Sequence, residues 1–87
     1  MSATAQLAQL VVQQVENGER SPDALRVKVL EVVNNMYEQE GQSPAYDIGL
    51  DWVLQLAQIE GSITEENATS LVADMNKIAD LANDGGF

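Results

Sequence analysis

Three short segments decide how this chain folds: Gly18-Glu19-Arg20-Ser21-Pro22, Gly41-Gln42-Ser43-Pro44 and Gly61-Ser62-Ile63-Thr64-Glu65. In each, a glycine is followed within a few residues by a hydroxyl side chain. Glycine tolerates the left-handed backbone that ends helices, and a Ser or Thr oxygen accepts a free amide at the start of the next helix. Proline directly after Ser21 and Ser43 suits the first helical position, where its missing N–H costs nothing. The three segments therefore cut the chain into four helices of similar length joined by short turns.

Outward from these breaks, apolar spacing defines each helix. The first is predicted from about Ala3 to Asn17, with Leu7, Ala8, Val11, Val12 and Val15 on one side and Gln6, Gln9, Gln13 and Glu16 on the other. Gly18 stops it. The second is predicted from Pro22 to about Glu40, capped by Ser21, with Leu25, Val29, Val32 and Met36 at helical spacing and Val33 beside them. Asp23–Arg26 and Lys28–Glu31 are i,i+3 pairs, each worth a few tenths of a kcal/mol. Its β-branched content opens a strand reading, which the caps and the long helical period outweigh. Arg26 and Tyr37 fall on one edge of its stripe. They read as an arginine stem lying beside a rim tyrosine, or as a contact pair for a partner.

The third helix is predicted from Pro44 to about Glu60 on a stripe of Ala45, Ile48, Trp52, Leu56 and Ile59. The fourth is predicted from about Thr64 to Asn83 on Ala68, Leu71, Val72, Met75, Ile78, Ala79 and Ala82. Ser62 and Glu65 form a candidate capping box at its start, and Gly85 is its expected stop. Short connections between helices favour antiparallel neighbours, so the fold class is all-α: a single-domain, small four-helix bundle over residues 1–87. Trp52 reads as core.

The third helix carries more apolar surface than one core face uses. Beside its stripe lie Tyr46, Leu50, Val53, Leu54 and Ala57, so that apolar residues span roughly 240° of the wheel rather than a single core-facing stripe. A helix apolar nearly all round is either central in its domain or shared with another chain. The expectation is that this is the most buried helix of the bundle, or that Tyr46, Leu50, Val53, Leu54 and Ala57 form a protein interface. A self-complementary patch would give a two-fold homodimer.

Composition narrows the chemistry. The chain has 87 residues, with 14 acidic side chains against 4 basic ones and a net charge of −10. Arg20, Arg26, Lys28 and Lys77 do not make the basic footprint that nucleic acid requires, and anionic membrane surfaces are disfavoured for the same reason. Cysteine and histidine are both absent. That removes disulfides, thiolate metal sites, the commonest general base and the commonest transition-metal ligand. The N-terminus has no basic region before an apolar run and no stretch approaches a membrane span, so a cytoplasmic protein is expected.

Asp47 and Asp51 lie one helical turn apart, but on the wettest side of their helix and without histidine partners. They read as solvated surface, or as an acidic contact for a partner, rather than as a metal or catalytic pair. Asn67-Ala68-Thr69 fits a glycosylation pattern inside a predicted helix and is read as chance. Asp47-Ile48-Gly49-Leu50-Asp51-Trp52-Val53 has a passing likeness to the helix after D-S-L in acyl carrier proteins, but the serine that would carry the prosthetic arm is missing, which excludes that family. No catalytic residue, cofactor site or metal site is expected.

The function expected is a small acidic non-enzymatic interaction module: an adaptor, an accessory subunit or a homodimeric structural protein, associating with itself or with a basic protein. The alternative is an acidic inhibitor of the immunity, antitoxin or phage anti-defence type that blocks a basic site on a nucleic-acid-acting protein. Its acids (Glu16, Glu31, Glu38, Asp47, Asp51, Glu65, Glu66, Asp74 and Asp80) are scattered along the chain, and phosphate mimicry would need them gathered on one surface.

Overall fold

The computed structural model describes residues 2–84. Its elements are α1 (Ala3–Glu16), α2 (Pro22–Glu40), α3 (Pro44–Gln58) and α4 (Glu65–Asn83). Each starts on a hydroxyl cap. Ser2, Ser21, Ser43 and Thr64 accept the backbone N–H of Ala5, Ala24, Tyr46 and Asn67 at 3.0, 3.3, 3.1 and 3.0 Å. Pro22 and Pro44 occupy the first turns of α2 and α3, as the sequence predicts.

Gly18 ends α1 at φ 100°. Its N–H reaches Val15 O at 3.0 Å and that of Glu19 reaches Gln14 O at 2.9 Å, the paired bonds of a Schellman stop. Gly41 ends α2 at φ 70°, its N–H donating to Tyr37 O at 2.8 Å.

Two helix ends depart from expectation. α3 stops at Gln58 rather than Glu60, because Ile59 is already extended (φ −84°, ψ 128°). α4 is capped by Thr64, not by Ser62. The reason is Ile63, which is buried while its N–H donates to Arg20 O at 2.9 Å. A cap at Ser62 would make Ile63 the first helical residue. With Thr64 as the cap, Ile63 instead precedes the helix and joins the core with Ala68, the two positions of a hydrophobic staple. Asp84 follows the last turn of α4; Gly85, the expected stop, lies outside the described residues.

The helices form a closed square. Each packs on two neighbours, α1 on α2 and α4, α3 on α2 and α4, and the diagonal pairs do not approach each other. The directions alternate. Ser2 N donates to Asn83 Oδ1, Gln9 Nε2 to Asn76 Oδ1 and Arg20 Nε to Glu65 Oε2, so numbers fall along α4 as they rise along α1. The molecule measures 35 × 22 × 17 Å, two helices deep in its thinnest direction.

The core is one cluster drawn from all four helices and Ile63. Its centre holds Leu25, Val29, Val32 and Met36 of α2 against Leu56, Leu71, Met75 and Ile78. Trp52 is buried as expected, and its Nε1–H donates to Asp74 Oδ2 at 2.6 Å, joining α3 to α4. Thr4, also fully buried, donates its hydroxyl to Asn35 Oδ1 at 2.6 Å and joins α1 to α2.

Central burial of the third helix is not what forms. A square of four helices has no central member, and α3 buries only Ala45, Gly49, Trp52 and Leu56, fewer positions than any other helix. Ile48 and Ile59, assigned to its main stripe, are half-buried against the edge of the core.

Candidate interaction surface

Because α3 sits at a corner of the square, the second apolar set beside its stripe meets only α2 and solvent. Tyr46 and Val53 are half-buried and pack on the core edge. Leu50 is half-buried, Leu54 is 55% exposed and Ala57 is exposed. The five residues singled out from the sequence thus share one flank of α3, grading from partly covered at the α2 side to open at the solvent side.

α2 supplies a matching flank, of which the sequence reading singles out only Tyr37, as a rim or partner-contact residue. Val27, Leu30 and Tyr37 are 54%, 42% and 56% exposed. The ring of Tyr37 lies 5.3 Å from that of Tyr46, tilted by 48°, an ordinary aromatic pair. This contact fixes which sides meet. Leu30 is two turns before Tyr37 on α2; Leu50, Val53 and Ala57 are one, two and three turns after Tyr46 on antiparallel α3. The apolar residues of both helices therefore border one seam. The signal for the α2 half was present: Val27, Leu30 and Tyr37 fall off the Leu25–Val29–Val32–Met36 stripe and have no place in the core that stripe builds.

Arg26 and Tyr37, read together as an edge pair, do not act as one. Tyr37 meets Tyr46, whereas Arg26 pairs with Asp23 at 3.5 Å and lays its stem down far enough to bury Nε. Lys28 and Glu31 stand at 4.0 Å.

Apart from Arg26, one turn before Leu30 on the same edge of α2, charge around the seam is acidic and follows a repeat. Leu30 is followed by Glu31, Tyr37 by Glu38, Tyr46 by Asp47 and Leu50 by Asp51. One residue onward is about 100° around a helix, so each acid falls on the outer side of its apolar neighbour, away from the seam. All four acids are exposed. Asp47 accepts from Gln42 Nε2 at 3.3 Å and Asp51 from Gln55 Nε2 at 2.9 Å, amide contacts that leave their charge uncompensated. Two of the scattered acids are committed elsewhere: Asp74 holds the Trp52 indole, and Glu65 is bridged by Arg20 at 2.7 and 3.0 Å.

Two other depressions offer less chemistry. A shallow depression between α1 and α4 is lined by Val15, Arg20, Glu65, Ala68 and Val72, where Arg20 and Glu65 neutralise each other. A second depression on α1 is walled by Gln6, Gln9, Leu10 and Gln13, with no titratable group. Among the described residues no group of three potential metal ligands converges, and no helix is long and apolar enough to cross a membrane.

Compared with family models, with curated proteins and with solved structures, the chain matches none of them.

Proposed function

We propose that this protein is a non-enzymatic interaction module that associates through the apolar flank of α3, Tyr46, Leu50, Val53, Leu54 and Ala57, widened by Leu30 and Tyr37 of α2. The observation that carries the reading is the exposure of Leu54, Tyr37 and Leu30 along a single seam. Apolar side chains scattered singly on a surface mean little, whereas a contiguous strip rimmed by polar groups marks an association site. As part of the same proposal the chain works in the cytoplasm, where a cysteine-free fold needs no oxidising compartment.

The test is absolute mass by light scattering at low and high salt, repeated with Leu54→Ser, together with binding to candidate partners. The expected result is association, with itself or another protein, that Leu54→Ser weakens while the helical content stays unchanged. Association indifferent to Leu54→Ser and to Leu50→Ser would overturn the reading.

The second reading is an acidic inhibitor covering a basic site on a nucleic-acid-acting protein. It draws support from the exposed acids Glu31 and Glu38 of α2 and Asp47 and Asp51 of α3. The two readings part on salt: charge-led inhibition weakens steeply as ionic strength rises, whereas an interface centred on Leu54 and Tyr37 is less affected.

A further inference from the structure

Resting on the interaction-module reading, we infer that the occupant of the α2–α3 seam is a basic amphipathic helix from another protein, rather than a second copy of this chain. The strip is built from Leu30, Tyr37, Tyr46, Leu50, Val53 and Leu54, and α2 and α3 flank it as two antiparallel rails. An apolar strip along two antiparallel helices can receive the apolar face of a third, through side chains at i, i+4 and i+7. α3 has 15 residues, so the seam accommodates about four turns of a docked helix.

Charge decides between occupants. Glu38 lies on the outer side of one rail beside Glu31, which Lys28 meets at 4.0 Å, and Asp47 and Asp51 lie on the outer side of the other. The chain has four basic residues against 14 acids, too few to answer those acids across a two-fold axis. Arg20 is bound to Glu65 on the α1–α4 edge, Arg26 and Lys28 stand 3.5 and 4.0 Å from Asp23 and Glu31 of their own helix, and Lys77 lies on α4. In a symmetric dimer the strip meets itself, so acidic rims face acidic rims on chains that each carry −10. A helix with leucines on one face and lysines flanking them meets the same strip with complementary charge on both rails. Like charges in apposition discriminate against the wrong partner as effectively as good contacts select the right one.

The experiment uses the full chain and three synthetic helical peptides of about 15 residues, matched to the length of α3. All carry the same leucine face; their polar faces are lysine, glutamine or glutamate. Affinity is measured calorimetrically at about 20 mM and about 300 mM salt, and the site is mapped by amide chemical shifts. The lysine peptide is expected to bind at least ~tenfold more tightly than the glutamine peptide at low salt, with shifts centred on Leu30, Tyr37 and Leu54. Leu30→Ser with Leu54→Ser should weaken it by ~tenfold or more, and Asp47→Asn with Asp51→Asn should bring it towards the glutamine peptide and flatten its salt dependence. These positions are exposed, and the amide spectrum of each variant confirms the fold.

Equal binding of the lysine and glutamine peptides at this strip, or salt-resistant dimerisation through it, would overturn the basic-helix inference and leave the interaction surface standing. Failure of all three peptides to bind also overturns the inference, and the mass of the Leu54→Ser variant then judges the surface alone. A lysine peptide that binds elsewhere, indifferent to Leu30→Ser and Leu54→Ser, overturns both.

Discussion

Gly49 has no positive φ, so its lack of a side chain serves space rather than backbone conformation. A Cβ at this position would stand 2.8 Å from Val33 Cγ2 and 3.2 Å from Met36 Cε. The methionine end can swing away; the valine is β-branched and stiff. Gly49→Ala would gain about 1 kcal/mol of helix propensity and lose about 1–3 kcal/mol to overpacking. A net loss of about 1 kcal/mol is expected, read as a fall in Tm of about 4–8 °C. A rise in Tm would mean that α2 and α3 separate easily. Nothing nearby in the sequence marks this glycine as required, because the side chains that require it lie on α2. Trp52 shows the other side of that limit. Its burial is legible from its place on the stripe, but its partner Asp74, 22 residues away, reads only as one more surface acid.

Arg20 belongs to a loop by its neighbours, yet it organises three elements. Its guanidinium holds Glu65 in the first turn of α4, Val15 O near the end of α1 and Glu19 O between them, while its own carbonyl receives Ile63 N–H. The Arg20 hydrogen bond and charge hold the Glu65 carboxyl below its ordinary value of 4.5. A depressed carboxyl stabilises the fold above its unfolded pKa, and that contribution is lost as pH falls through the lower folded value. Acid titration of the wild type should therefore show a stability loss beginning below about pH 4.5 that Glu65→Gln lacks, measured as Tm against pH. Identical profiles would mean that the bridge adds nothing. The same loop explains why Thr64, not Ser62, caps α4. Ser62 and Thr64 are both competent caps, and the choice was made by Ile63, which reaches the core only if the helix begins after it.

Over the whole molecule, 14 acids against 4 bases leave self-repulsion that the three ion pairs among the described residues do little to offset. Screening relieves repulsion. Raising ionic strength from about 10 mM to about 500 mM should therefore raise Tm, although it weakens the ion pairs. A fall in Tm would mean that the pairs outweigh the net charge. At this scale the position of α3 matters most. A corner helix with apolar residues around most of its circumference must leave some of them to solvent, and Leu54 and Ala57 are those residues.

The sequence by itself determined the number of helices, their order, most of their ends and the core stripes. These depend on local chemistry: caps, glycine stops and a period of 3.6 residues act within a turn or two of chain. It also marked α3 as having one apolar flank too many. Only the tertiary structure decided that this flank is uncovered and that α2 continues it. It also decided that Asp74 and Glu65 are engaged across elements while Asp47 and Asp51 accept from glutamine amides. Those outcomes depend on which helices lie side by side, and adjacency is settled by packing between residues far apart in the chain.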